Sequence, residues 1–179
     1  MAAIRITNPI PGAMGIVNSA GAPSAGTSKI QTITFGGTIT ASATSGFYIT
    51  FDGYTTPLIL WSATNATLVS NIDTAVEALA NVGSGGMTTA VGTMTAGIGT
   101  ITMTSAGNLA KLAHNTFTVT SALEGTAPTV AITETTAGVS ATARGGTIGT
   151  LVDDDTNENL YKNTGTATLP VWTVVGAQT

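Results

Sequence analysis

Phe47, Ile49 and Phe51 alternate with Tyr48 and Thr50, a period of two that turns one set of side chains toward a core and the other toward water. Ile33 and Phe35 alternate with threonines in the same way, until Gly36-Gly37 breaks or bends the run. Asp52-Gly53 is a strong turn signal between the 47–51 strand and the run from Thr55 to Trp61. After Trp61 the period changes. Leu68, Ile72, Val76 and Leu79 recur every three or four residues, while Ser70, Asn71, Asp73 and Glu77 can face water. This spacing predicts one amphipathic helix over 65–81, capped by Ser62 or Thr64 and stopped by Asn81-Val82-Gly83. Strand-like stretches return at 87–94, 98–103, 114–120 and 129–133, with Phe117 and Val119, then Val130 and Ile132, as buried faces. The predicted fold class is α+β: a mainly antiparallel β-sheet with one amphipathic helix packed on one face, an extended N-terminal arm and a small C-terminal β-hairpin.

Three zones follow from where this patterning starts and stops. Residues 1–28 read as an extended arm, in which Pro9, Pro11 and Pro23 stand among glycines and no period persists. Its apolar residues, Ile4, Ile6, Ile10 and Ile16 among them, are too many for a plain linker. Such an arm either lies on a neighbouring chain by strand addition or covers its own domain. Residues 29–135 form the central domain. Residues 136–179 hold a Gly- and Ala-rich link, the acidic stretch Asp153-Asp154-Asp155-Thr156-Asn157-Glu158, and a hairpin of Leu160–Lys162 with Pro170–Val175. An isolated hairpin is marginal, so Tyr161 and Trp172 either pair within it, anchor against another subunit, or build a small satellite core.

Composition sharpens this picture. Thirty-seven of the 179 residues are threonine and 22 are glycine. Threonine fits a half-exposed strand, but it buries little apolar area. Charged residues are only 8% of the chain, against about 25% in an average soluble domain. Part of the surface is therefore expected to face other chains, the alternative being a surface covered in threonine and serine. The formal net charge is −4, and Arg5, Lys29, Lys111, Arg144 and Lys162 are scattered singly. Nucleic acid is not an expected partner, because its binders need a basic footprint. There is no cysteine, which excludes disulfides and thiolate sites. The first ten residues lack the pattern of a signal peptide. No run approaches the roughly 20 apolar residues that span a bilayer, so no membrane partner is expected.

The chemistry available is sparse. His114 is the sole histidine, and it reads as a boundary residue beside Asn115. No G-x-S-x-G elbow presents a serine. Asp52, Asp73, Glu77, Glu124, Glu134 or the acidic 153–158 stretch would have to supply a glycosidase pair, but Asp52 has a sufficient role in its turn. The 153–158 acids lack EF-hand spacing and read as a solvated loop. The expectation is a non-enzymatic protein with no catalytic residue, no metal and no cofactor.

A resemblance points the same way. Ile33–Gly37, Gly46–Thr56 and Trp61–Thr64 leading into the helix resemble a module of tailed-bacteriophage structural proteins, with a "TFxLxFDGxTT" strand pair, an "(N/S)AT" helix start and an "LxxLxNVGxGN" helix end. This chain has Phe51-Asp52-Gly53, Thr55-Thr56, Ser62-Ala63-Thr64 and Leu79–Gly85, with Gly86 where asparagine is common. The likeness covers about 100 residues. Leu160–Thr166 with Pro170–Thr173 is similar, over a shorter stretch, to terminal segments of phage fibre, head-associated and tail proteins. The resemblance implies a virion component, best matched by a capsid decoration or cement protein on the capsid exterior. The implied partners are the major capsid protein and further copies of the chain, as a trimer or other symmetric oligomer, with Ile4, Ile6, Ile10, Ile16, Tyr161 and Trp172 as interface residues. The alternatives are a tail or fibre component, or a host-surface carbohydrate-binding module using Tyr48, Tyr54, Trp61 or Trp172.

Overall fold

The computed structural model describes residues 16–19, 21–142 and 147–177. In chain order these form β1 (Ile16–Ser19), β2 (Ile30–Thr40), β3 (Gly46–Phe51), β4 (Tyr54–Thr55), β5 (Ile59–Leu60), α1 (Asn65–Glu77), β6 (Met87–Thr95) and β7 (Ile98–Ser105). A 3-10 turn at Gly107–Leu109 follows, then β8 (Thr118–Ala122), β9 (Glu124–Thr136), β10 (Leu151–Asp154), β11 (Asn159–Asn163) and β12 (Trp172–Ala177). The chain divides into two compact units, one over Ser28–Val139 and one that joins residues before Ser28 to those after Val139. The fold is α+β, mostly antiparallel sheet with a single helix among the described residues.

In the central unit the strands divide between two sheets where the patterning suggested one. The first has the order β6-β7-β2-β9; in the second, β3 pairs with β4 and β5 along one edge and with β8 along the other. The alternating apolar positions of β2, β3 and β7 point into one core: Ile33, Phe35, Phe47, Ile49, Phe51, Ile101 and Met103 are buried. Phe35 meets Phe47 edge-on at 5.2 Å between ring centres, and Phe51 stacks on Phe117 at 4.3 Å. Helix α1 adds Leu68, Ile72 and Val76 to the same cluster. It ends at Glu77, earlier than its apolar spacing predicts, and the chain continues in tighter turns until Gly83 N–H closes on Leu79 O at 2.9 Å. Thr64 holds the N-cap position without a side-chain bond to the helix, and Ser62 Oγ accepts from Thr64 N–H.

Two devices fix the turns. Asp52 and Gly53 both have positive φ, 47° and 83°, the geometry of a type I′ hairpin turn. Between β4 and β5, Thr56 donates its N–H to Ile49 O at 2.9 Å, and its Oγ1 accepts from Ile49 N–H at 3.1 Å. A side chain thus completes the ladder at the point where Pro57 follows.

The other unit is a four-stranded sheet of order β1-β10-β11-β12. β1 runs parallel to β10, with Ile16 beside Leu151 and Ser19 beside Asp154. Within residues 1–28, read as an extended arm, Ile16–Ser19 form a strand of this sheet. Downstream, Thr142 N–H donates to Ser24 O and Ser24 N–H to Thr142 Oγ1. Ile4, Ile6 and Ile10 lie outside the described residues. The expected C-terminal hairpin is β11 with β12, but its register sets Tyr161 against Val174 and Trp172 against Asn163. Tyr161 and Trp172 are therefore not direct partners. A β-bulge leaves Val175 as the extra residue between the Tyr161–Val174 and Leu160–Gly176 pairs.

Candidate interaction surfaces

The polar groups that could carry chemistry are engaged in holding loops. All five carboxylates of the central unit accept bonds from neighbouring elements. Asp52 accepts from Asn115 Nδ2 and Asp73 from Thr89 Oγ1. Glu77 accepts from Gly85 N–H, and Glu124 from Ser42 and Thr44 hydroxyls. Those two hydroxyl bonds, Thr44's first, hold the Glu124 carboxyl below its ordinary value. Glu134 pairs with Lys29 at 2.5 Å, and the lysine is almost wholly buried. Gln31 is buried too: its Oε1 accepts from Phe117 N–H at 3.0 Å and its Nε2 donates to Phe117 O at 3.3 Å. The amide thereby continues the ladder where no strand lies alongside.

His114 sits beside a shallow depression of about 500 Å³ lined by Asp52, Ala113, His114 and Asn115. Its Nδ1 lies 2.7 Å from Asn115 O. A carbonyl only accepts, so Nδ1 carries the proton and Nε2 of the neutral ring accepts from Ser105 Oγ, 2.7 Å away. Ser105 is buried, so this hydroxyl serves as a tie between the end of β7 and the 110–117 loop. The ring also meets Phe51 edge-on. Burial pushes its pKa down; the Asn115 carbonyl, Asp52 and Glu134 act in the opposite direction, and Lys29 adds to the lowering.

In the terminal unit the acidic stretch spans the end of β10 and the tight turn into β11. Asp154 is buried, which opposes its ionisation. Bonds from Asn157 Nδ2 and from the N–H groups of Thr156, Asn157 and Gly21 outweigh that and hold the carboxyl below its ordinary range. No cluster of three metal-ligating side chains occurs among the described residues. Asn163 is the second polar hub: its Oδ1 accepts from Gly165 and Val171 N–H, and its backbone bonds Gly149 and Thr150.

Several apolar side chains reach the surface. Trp61 is buried, with its Nε1–H bonded to Gly97 O at 3.1 Å, so it cannot form an exposed platform. Tyr48 is half-buried and Tyr54 exposed. Between β5 and α1 runs a groove of about 380 Å³ lined by Pro57, Leu58, Ile59, Leu60, Ala75 and Ala78, among others. Asn71 bridges it by donating to Leu60 O. Tyr161 and Trp172 are both half-buried, and the indole N–H of Trp172 has no acceptor among the described residues. Ile148, Leu169, Val171, Val174 and Val175 belong to the same unit and are exposed.

Those five residues were not singled out by sequence patterning. One signal was available: Leu169-Pro170-Val171-Trp172-Thr173-Val174-Val175 carries apolar residues at both parities, and no charge follows Lys162. Strand residues of that kind are either buried on both faces or left for a partner. Comparison with family models finds no match, and a search of curated proteins finds no relative.

Proposed function

We propose that this chain is a non-enzymatic structural protein of a virion, a decoration or cement protein on the outer surface of a phage head. Its partners in this reading are the major capsid protein and other copies of itself. The observation that carries the reading is the pairing of a chain with 8% charged residues with exposed apolar side chains concentrated in one unit. The likeness of the 33–86 segment to phage structural modules supplies the setting. Apolar and backbone contacts that are individually weak, repeated by symmetry over a shell, stabilise the assembled state because the bound protein recognises only that state. Ile4, Ile6, Ile10 and Ile16 are the proposed shell contacts, with Tyr161 and Trp172 toward neighbouring subunits.

The test is occupancy on purified particles. Deleting residues 2–14 spares β1 and should cut occupancy several-fold, while the unfolding transition of the central unit stays where it was. Unchanged occupancy removes the role given to the arm. Imaging of intact virions decides the location: density on the tail favours the fibre or tail reading, and density on neither head nor tail overturns the virion reading altogether.

A further inference from the structure

His114 holds its loop through two bonds of opposite sense. Nδ1–H donates to Asn115 O and Nε2 accepts from the Ser105 hydroxyl, each over 2.7 Å. A proton on Nε2 would set two donors against each other. The hydroxyl could turn to accept, but Ser105 is buried and its Oγ bonds only this ring among the described residues. Its own proton would then be stranded, at a cost. The charge itself would be half-buried. Three charged groups bear on the ring: Lys29 before β2, Asp52 in the β3–β4 turn and Glu134 on β9. Lys29 repels an imidazolium, and Glu134 is paired with that lysine. Asp52 is therefore the anion left to receive the charge, and with His114 it lines the depression of about 500 Å³ beside the ring.

We propose that the segment from Lys111 to Asn115 is an acid-released latch. When His114 takes up a proton, its ring leaves Ser105 and turns into the depression, where Asp52 and water stabilise the charge, while the flanking strands stay formed. Three features make the release local. Phe117, just past the segment, is held by both ends of the Gln31 amide, and an amide does not titrate. The stack of Phe51 on Phe117 does not need the imidazole, which meets Phe51 only edge-on at 5.3 Å. The segment begins at Lys111 with φ of +50°, a left-handed conformation that persists only where neighbours hold it. Its N–H bond to Ser28 Oγ at 3.1 Å is one such tie, and release lets this backbone relax. Burial and Lys29 both favour the neutral ring, so the latch is shut near pH 7 and opens on acidification. Opening uncovers the Ser105 hydroxyl and the edge of Phe51, both buried while the latch is shut. It is a sub-global event, distinct from unfolding of the central unit.

The experiment uses the full chain in solution. Amide hydrogen exchange is followed at about pH 7 and about pH 5 and corrected for the intrinsic pH dependence of the rate. Amides of residues 111–115 should lose protection about tenfold or more at the lower pH, while those of Met103 on β7 and Val119 on β8 keep theirs. His114→Gln cannot take up the proton and should abolish the change. Because His114 is the only histidine, a single imidazole resonance reports its titration directly. Ser105→Ala should raise its proton affinity and Asp52→Asn should lower it, each by about threefold. Asparagine tolerates the positive φ of that turn, so Asp52→Asn decides the matter even where Ser105→Ala disturbs the fold. Unchanged protection of 111–115 overturns the proposal. So does protection lost there only in step with β7 and β8, a change that survives in His114→Gln, or a titration that Asp52→Asn leaves where it was.

Discussion

Gly97 lacks a side chain because nothing fits there. A Cβ at this position would lie 2.4 Å from Ser62 O and 2.6 Å from Trp61 Cζ2, and φ is +77°. The glycine closes the β6–β7 hairpin, and its backbone is gripped from both sides: its carbonyl accepts from Trp61 Nε1–H, and its N–H donates to Asn65 Oδ1 at 2.9 Å. Trp61 and Asn65 thus bind the hairpin turn to the start of the helix. Gly97→Ala should cost about 2–4 kcal/mol in urea unfolding, combining backbone strain with displacement of a buried ring. Gly53→Ala is the control. Its φ is +83° but nothing lies within 4 Å of the added Cβ, so roughly 1 kcal/mol of conformational cost is expected. Equal losses for the two would show that the close approach to Trp61 is not what constrains Gly97. The turn at Asp52-Gly53 was legible because its signal is local. The need for glycine at 97 was not, because the residue it must clear lies 36 positions away.

At the scale of elements, period was the reliable guide and side-chain bonding the unreadable one. β3 and α1 announce themselves by alternation and by three-to-four spacing, and Leu68, Ile72, Val76 and Leu79 are indeed buried. Of the faces expected to be buried, Phe117 is fully so, while Val119, Val130 and Ile132 are partly buried and pack against the core; β9, which carries the last two, is an edge strand beside β2. Asp153 and Asp154, which end β10, were read as part of a solvated acidic loop. Asp154 is buried only because four donors converge on it, three of them within three residues and one from Gly21. No period encodes that. The loop from Ala110 to Phe117 is likewise held by bonds, through His114 to Ser105 and Gln31 to Phe117. His114 makes this tie pH-sensitive. Its folded pKa is below the ordinary 6.5, so the unfolded chain takes up the proton first as pH falls. The stability it contributes is complete above about pH 6.5 and is lost as pH descends toward the lowered folded value. His114 is the only histidine, so this window belongs to it. The melting temperature should fall between pH 7 and pH 5, and His114→Gln should flatten that slope. An identical slope in the variant would rule His114 out as its source.

Across the whole molecule, the two units rest on different physics. Of the buried apolar side chains among the described residues, only Ala141 and Val152 lie in the terminal unit; the rest, from Ile33 to Phe117, belong to the central one. Burial on that central scale is what offsets chain entropy in an independent domain. The terminal sheet relies on buried Asp154, Asn163 and Thr150 instead, and net contributions from satisfied hydrogen bonds are about 1 kcal/mol each. It also carries the indole N–H of Trp172, which has no acceptor among the described residues. Low charge suggested that the chain as a whole is short of self-sufficiency. Among the described residues, the large apolar core belongs to the central unit. The two tryptophans separate the units, since Trp61 is in the central one and Trp172 in the terminal one. In Trp61→Phe the remaining fluorophore should report a melt several degrees below that seen by Trp61 in Trp172→Phe at micromolar concentration. The lower transition should rise with protein concentration, because a partner that covers the terminal sheet stabilises it by mass action. Residues 28–139 expressed alone should unfold cooperatively near the upper transition. Coincident, concentration-independent melts from both probes would mean that the terminal sheet draws its stability from within the single chain, and the need for a partner on that sheet would fall with that result.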